Sequence, residues 1–538
     1  MRTLYLPQRS SRVDARGCIR LAAAASFLLR RFAQEARMQA TPIGRAALLE
    51  CRSQILDCRL GRPVTTQRTD MNDFPQAPVI DHAVARVAAE PRRPPRLLLV
   101  VLAVHAVCAV TYTWLIPPDR GPDEPHHLAY IEHLHNYREL PHLTSATATR
   151  DERDMAIAIH PPLYYLAGWP VYEAVKGLGH VMTERVFRWI ALLLGMGTVF
   201  LTWRMATTLF PDNPHLPLAA AAFVAFLPEF QLLSAVMNND GPMMLLSTTL
   251  LLLMVQRLER PLSVTAWLLL GALFGVVVMT KASGAASFPV ALVLLAYQKR
   301  RQSLSWGGVL ARAAVYYGTA FALSFWWFLD IKQRWGRFHP IPKSDLNPLL
   351  LHDSVSDLLT SGRGWFCVRR FLIGAQQSAW GQVDWFLPMN GQRGVAFYSA
   401  SVACYLVFTV VASLALAGLG LLAVRWLQKG VECAPAQKAG VALLVTHAGL
   451  AAAALTHFAL FQHPGGYQGS RYLYPSVAAF GTLFALGLTT LLPERWHKWL
   501  APSLMVGLLV WNVFCALNLI GYLNPLYAPG EGIELRLH

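Results

Sequence analysis

Charged residues are scarce in this 538-residue chain, at 14%, against about 25% in an ordinary soluble domain. With 54% apolar residues and a mean hydropathy of +0.36, that shortage excludes a typical soluble globular enzyme. It equally excludes a disordered chain, which needs charge and few apolar residues. Cysteine is sparse as well. The eight are Cys18, Cys51, Cys58, Cys108, Cys367, Cys404, Cys433 and Cys515. No two stand at CxxC spacing and four lie in or beside apolar runs, which argues against a disulfide framework or a zinc site. Nucleotide-binding signatures are missing too. There is no P-loop and no GxGxxG opening a helix after a strand; the nearest approach, Gly362-Arg363-Gly364, lacks the rest of either motif.

What the chain has is apolar length. Runs of about spanning length fall near 97–116, 187–209, 216–236, 241–256, 263–280, 284–298, 307–329, 395–424, 439–461, 473–492 and 499–521. The expected fold is therefore all-α and polytopic, with about eleven transmembrane helices and two large loops, 117–186 and 330–394. The net charge of +16 would favour nucleic acid in a soluble protein. Here +9 of it sits in residues 1–96, where 17 Arg face 8 acids. That stretch reads as a basic, disordered extension ahead of a membrane domain over 97–538. Met71 is an alternative start, because residues 1–70 show neither a periodic pattern nor a span.

Positive charge also sets the expected orientation. Arg92, Arg93 and Arg96 precede the first run and place its N-terminus in the cytoplasm. Alternation then puts Arg257, Arg260, Lys299, Arg300, Arg301, Arg425, Lys429, Lys438, Arg495 and Lys498 in short inner loops. The short outer loops hold only Lys281 and Arg471. Both long loops fall outside.

Polar groups of distinct chemistry collect on that outer side. The first loop opens with Asp123-Glu124-Pro125-His126-His127 and leads into an amphipathic stretch. There His126, Tyr130, His133 and Tyr137 are expected to share one helix face, with Leu128, Ile131 and Leu134 on another. His160-Pro161-Pro162-Leu163-Tyr164-Tyr165 follows. Asn238-Asn239-Asp240 precedes one apolar run, Lys281 ends the next, and Gly469-Ser470-Arg471-Tyr472 opens a later one. The second loop carries Trp380-Gly381-Gln382-Val383-Asp384-Trp385. Ionisable groups gathered at one membrane face mark a site. Plainer readings stand beside this one. The acids and Asn238–Asp240 can serve as helix caps, Lys281 and Arg471 as snorkelling anchors, and Trp385 and Tyr467 as part of an interfacial aromatic belt. His126 and His133 stand two turns apart, which is not the i, i+4 spacing of a metal-binding pair.

In this order the motifs resemble the GT-C clan of membrane glycosyltransferases. The clan includes the bacterial aminoarabinose transferase to lipid A and the protein O-mannosyltransferases. The motifs also resemble an uncharacterised bacterial branch of predicted membrane proteins in that clan, in which PDEPxH, HPPLYY, WGQ and QGRYLxP recur in this order. The resemblance covers about residues 97–525, with one departure: Ser470 stands between Gly469 and Arg471 and displaces the arginine by one position. The resemblance implies inverting transfer of a sugar from a polyprenyl-phosphate donor to a glycan, lipid or protein acceptor, at the outer face of a bacterial inner membrane among membrane lipids. Asp123 becomes the catalytic base, with Glu124 as its neighbour and as holder of a divalent cation where one is used. His126, His127, Tyr130, His160, Tyr164, Asn239, Asp240, Lys281, Gln382, Arg471 and Tyr472 become substrate-binding residues. No other cofactor and no nucleic acid is implied. A transporter or flippase would show internal repeats, and none is visible between the halves. A non-catalytic polyprenyl-lipid-binding protein would not need the acid.

Overall fold

The computed structural model describes residues 94–141, 160–336, 338, 355–360, 362, 364–381, 402–428, 434–462 and 470–527. Readings that rest on residues 1–93, Gln382, Trp385 or Tyr467 lie outside them. The expected membrane protein is what the chain builds: every regular element among the described residues is helical. In chain order these are α1 (Arg96–Leu115), α2 (Glu124–Tyr137), α3 (Leu163–Val175), α4 (His180–Leu209), α5 (Leu216–Phe226), α6 (Pro228–Leu233), α7 (Asp240–Gln256) and α8 (Val264–Thr280). They continue as α9 (Val290–Gln302), α10 (Trp306–Trp335), α11 (Val355–Thr360), α12 (Gly364–Ala379), α13 (Val402–Leu427), α14 (Pro435–His457), α15 (Val477–Leu491) and α16 (Glu494–Tyr527). Short 3₁₀ segments, Ala282–Ser287 and Ser470–Ser476, lead into α9 and α15.

Among the described residues six helical stretches are long and apolar enough to cross a membrane: α1, α4, α13, the α14 stretch, α15 with its leading turn, and α16. Helices α5, α7 and α8 are apolar but shorter. The run 216–236, expected as one crossing, is two helices. Pro228 has no amide hydrogen to continue α5, and Leu227 between them is extended (φ −61°, ψ 124°). Eleven residues rise only about 16 Å, so α5 does not span alone. It survives because all eleven are buried in protein, where a broken helix can find side-chain partners for its freed carbonyls. Gln231 Nε2 donates to the Ala225 carbonyl at 2.6 Å, and Asn512 Nδ2 donates to that of Phe226 at 2.7 Å. His105, inside α1, sets Nδ1 2.9 Å from the same Ala225 carbonyl.

The first long loop contributes α2 and α3, joined by Tyr130 stacked on Tyr165 (centroids 3.7 Å apart, planes 5° apart). Tyr130 therefore lies with Leu128, Ile131 and Leu134 on the buried face of α2. This corrects the expected partition of that helix. The pair spends its ring area on packing, which the polarity pattern alone did not weigh. In the second loop, α12 buries Gly364, Cys367, Phe371, Gly374 and Ser378 and exposes Trp365, Phe366 and Leu372. An exposed apolar face beside a buried one is the pattern of a helix lying in a membrane interface.

One crossing depends on glycine from both sides. A Cβ on Gly418 or Gly487 would meet backbone oxygen of the facing helix (Gly487 and Ala415, respectively), so α13 and α15 touch backbone to backbone. Gly487→Val is expected to destabilise the protein by roughly 1–3 kcal/mol through overpacking. The readout is the thermal unfolding midpoint in detergent, and an unchanged midpoint would show that this crossing relaxes freely.

Candidate active site at one end of the bundle

The site is assembled by one buried cation. Arg188, in the first half of α4, donates from Nε to Glu124 Oε1 (2.9 Å) and from Nη2 to Glu124 Oε2 (2.6 Å). Its Nη1 donates to the carbonyls of Thr113 (2.9 Å) and Ile116 (2.6 Å), and Nη2 to that of Pro117 (2.9 Å). Nη2 also pairs with Glu184, one turn earlier. Glu124 takes two further bonds, from the amides of Gly121 (2.8 Å) and Met237 (2.7 Å). Both carboxylate oxygens are thus committed. Fully buried, Glu124 joins the end of α1, the start of α2 and the turn before α7.

Anchoring Glu124 fixes Asp123. Asp123 is a left-handed residue (φ 60°, ψ 8°) whose side chain makes no cap bond to α2. Asp tolerates this conformation better than most residues, at a cost of about 1 kcal/mol or more. Its carboxylate turns instead to Arg471, whose Nη2 donates to Oδ2 at 2.9 Å. Arg471 is nearly buried, whereas Asp123 keeps 27% of its side chain exposed. Burial opposes ionisation of Asp123. Arg471, with Lys281 behind it, outweighs that and holds the carboxyl well below the usual carboxylate range.

A second pair lies alongside. Lys281 Nζ donates to Asp240 Oδ1 at 2.6 Å, with both side chains buried. Burial moves the ammonium below its ordinary value, against the pull of Asp240. The pair is held from both sides. Asn238 Oδ1 caps α7 by accepting from the Gly241 amide (2.9 Å), and its Nδ2 donates to the carbonyls of Leu233 and Val236 (2.8 Å each). Asn238 is therefore the cap, which frees Asp240 to face Lys281. Tyr472 places its ring 5.7 Å from Lys281 Nζ and 5.6 Å from the Arg471 guanidinium. Beside them opens a cavity of about 420 Å³, walled by Trp327, Phe328, Ile331 and Leu455, with His160, Lys281 and Tyr472 at its polar side.

The remaining expected residues fall around this centre. Asn239 Nδ2 lies 3.2 Å from His160 Nδ1. Buried His127 shares a hydrogen bond between Nδ1 and the Tyr165 hydroxyl at 3.0 Å and meets Tyr164 edge-on at 5.7 Å. Burial pushes His127 down to about 3, against the pull of Asp123. His126 is half-buried on α2. Tyr130 is packed away from solvent behind Tyr165. Sequence reasoning gave no site role to Arg188, Glu184, Glu229 or Ser470. For Arg188 and Glu229 the available signal was charge inside an apolar run, which in a membrane chain marks a role. Outside this centre, Asp119, His180 and Glu184 bring three ligand atoms within 4.8 Å of one another, a set that could coordinate a divalent cation.

Fold and site together define an all-helical polytopic membrane protein with acid–base pairs at one bundle end, beside an apolar-walled cavity. Residues 160–327 match the family model described as dolichyl-phosphate-mannose-protein mannosyltransferase, somewhat less than a third of the chain. Among solved structures the chain is similar to ArnT from Cupriavidus metallidurans bound to undecaprenyl phosphate. That match has 16% identity and a TM-score of 0.40, over 79% of this chain and 74% of that one. It is also similar to the Archaeoglobus fulgidus oligosaccharyltransferase in its apo form (14% identity, TM-score 0.45), over 79% of this chain but only 56% of that longer one. No curated protein matches the chain.

Two outcomes follow from this geometry. Arg188→Leu leaves two buried carboxylates without their cation, and breaking such a pair costs about 3–5 kcal/mol. Arg471→Leu, whose partner is part-exposed, is expected to cost clearly less. Comparing the two unfolding midpoints tests this, and equal losses would contradict it. For His127, the folded value (about 3) lies below the ordinary 6.5. The unfolded chain therefore binds the proton first, and stability falls as pH drops through that window. The midpoint of wild type should decline between pH 6.5 and 4 more steeply than that of His127→Gln; parallel curves would remove His127 from the acid response.

Proposed function

We propose that this chain is an integral membrane glycosyltransferase. It moves a sugar from a polyprenyl-phosphate donor to an envelope acceptor at the outer face of the membrane. The observation that carries this reading is the meeting of Asp123–Arg471 and Asp240–Lys281 beside a cavity with an apolar wall. A lipid-linked phosphate needs both halves of that arrangement: cations for the phosphate and a greasy channel for the first isoprene units. The motif order and the family match over residues 160–327 support the same donor class.

The chemistry is a displacement at the anomeric carbon. An acceptor hydroxyl attacks, the bond from that carbon to the phosphate oxygen breaks, and the hydroxyl proton passes to a base. Asp123 is that base. In the resting arrangement Arg471 occupies it and keeps it weakly basic. The donor phosphate competes for the same guanidinium, and each contact it wins returns basicity to Asp123. Arg471 suits this exchange, since its planar fork bonds carboxylate and phosphate alike. Lys281 adds a second positive centre for the charge that grows on the departing phosphate. Tyr472, His160 and Asn239 shape the polar side, and Tyr164 and His127 back the base.

The test uses purified protein with a polyprenyl-phosphate sugar and candidate acceptors. Asp123→Asn should slow transfer by roughly 100-fold or more, as loss of a general base does. Wild-type turnover in Asp123→Asn would remove Asp123 from the chemistry. Movement of the lipid across the bilayer without sugar transfer would favour a flippase.

A further inference from the structure

Glu229 takes no part in the reading above, yet it is a buried acid next to the site, 1% exposed on α6. A carboxyl group there is expensive unless bonded. Its bonds go to a single stretch of chain. Oε2 accepts from the Ser470 hydroxyl, and Oε1 accepts from the Arg471 backbone amide at 3.2 Å. The Ser470 amide in turn donates to Ser378 Oγ on α12 at 3.0 Å. Ser470 and Arg471 are the first two residues of the 3₁₀ segment, and from that segment the guanidinium reaches Asp123.

We infer that Glu229 is a positioning residue for Arg471: it clamps the backbone of Ser470 and Arg471 from below and so aims the guanidinium at Asp123 and the donor phosphate. The inference rests on the transferase reading for its consequence, but its geometry does not. An arginine side chain is long and flexible, so its placement depends on the backbone it leaves. A carboxyl group receiving a hydroxyl and an amide from consecutive residues fixes both the height and the rotation of that backbone. The serine that displaces the arginine from the family pattern is the very residue whose hydroxyl the clamp holds.

The full-length protein with Glu229→Leu, Glu229→Gln and Ser470→Ala tests this by two readouts, a cryo-electron microscopy structure and steady-state transfer from a polyprenyl-phosphate sugar. Glu229→Leu is expected to lose the contact between Arg471 and Asp123. Its kcat should fall by roughly 100-fold, the scale of an ångström-sized misplacement. The KM for the donor should rise much less, because the phosphate's second charge develops only as the bond breaks. Glu229→Gln still offers an oxygen to the Arg471 amide and a polar partner to Ser470, and should restore the contact and most of kcat. If Glu229→Leu does not fold, Ser470→Ala removes one bond of the clamp and should lower kcat about tenfold. An intact contact between Arg471 and Asp123 in Glu229→Leu, a Glu229→Gln as impaired as Glu229→Leu, or wild-type kcat in Ser470→Ala overturns the inference. Absence of transfer by wild type would overturn the transferase reading instead, and the structures would still decide whether the clamp exists.

Discussion

The guanidinium of Arg188 sits where four pieces of chain meet: it donates to carbonyls at the end of α1 and to the first residue of α2, pairs with Glu184 of its own helix, and reaches Met237 through Glu124. In a bilayer-spanning bundle there is no water to take over any of these bonds, so each donor must be placed against a protein acceptor. That requirement sets where α1 stops. The carbonyls of Thr113 and Ile116 no longer have amide partners ahead of them, and the arginine supplies the missing donors. It also sets where α2 starts, because Glu124 can reach the cation only from its first turn. Asp123 is the residue left between two fixed points, and its left-handed backbone is the geometry that joins them.

The two arginines of this end differ in a way that separates structure from chemistry. Arg188 and its acids are fully enclosed, and every bond is made within the protein. Such a cluster has no means of exchanging partners without unfolding. Arg471 is nearly as buried, but its partner Asp123 faces the open side. A buried cation with a part-exposed anion can trade that anion for another one of similar geometry, and a phosphate is the natural competitor. The enclosed pair gives rigidity, and the open pair keeps a carboxylate within reach of solvent.

Much of this was legible before any coordinates. Asp123, Asp240, Lys281 and Arg471 each end or begin an apolar run, and alternation of the runs places them at one face. The pairing did not follow from the sequence, since runs fix height in the membrane and not neighbours across it. Asp123 and Glu124 show the limit most clearly. They are adjacent acids at a helix start, equal by composition, and the fold gives one to the structural arginine and the other to the site. Tyr130 was misplaced for a related reason: hydroxyl polarity suggested the wet face of α2, while a stacked ring partner on α3 decided the dry one.

The broken helix explains the remaining gap. Read as one run, 216–236 hides Glu229 inside a span where a lone acid has no purpose. With α5 ended at Phe226 and Pro228 starting α6, the chain folds back and presents Glu229 to the segment that begins at Ser470. The same break frees the Ala225 and Phe226 carbonyls, which His105, Gln231 and Asn512 then occupy from three other helices. Polar side chains in the middle of α1 and α16 thus have a structural reason that their own helices do not supply. They answer the break, the break positions Glu229, and Glu229 holds the backbone that carries Arg471. A single proline in an otherwise ordinary apolar run is therefore connected, bond by bond, to the charge that faces Asp123.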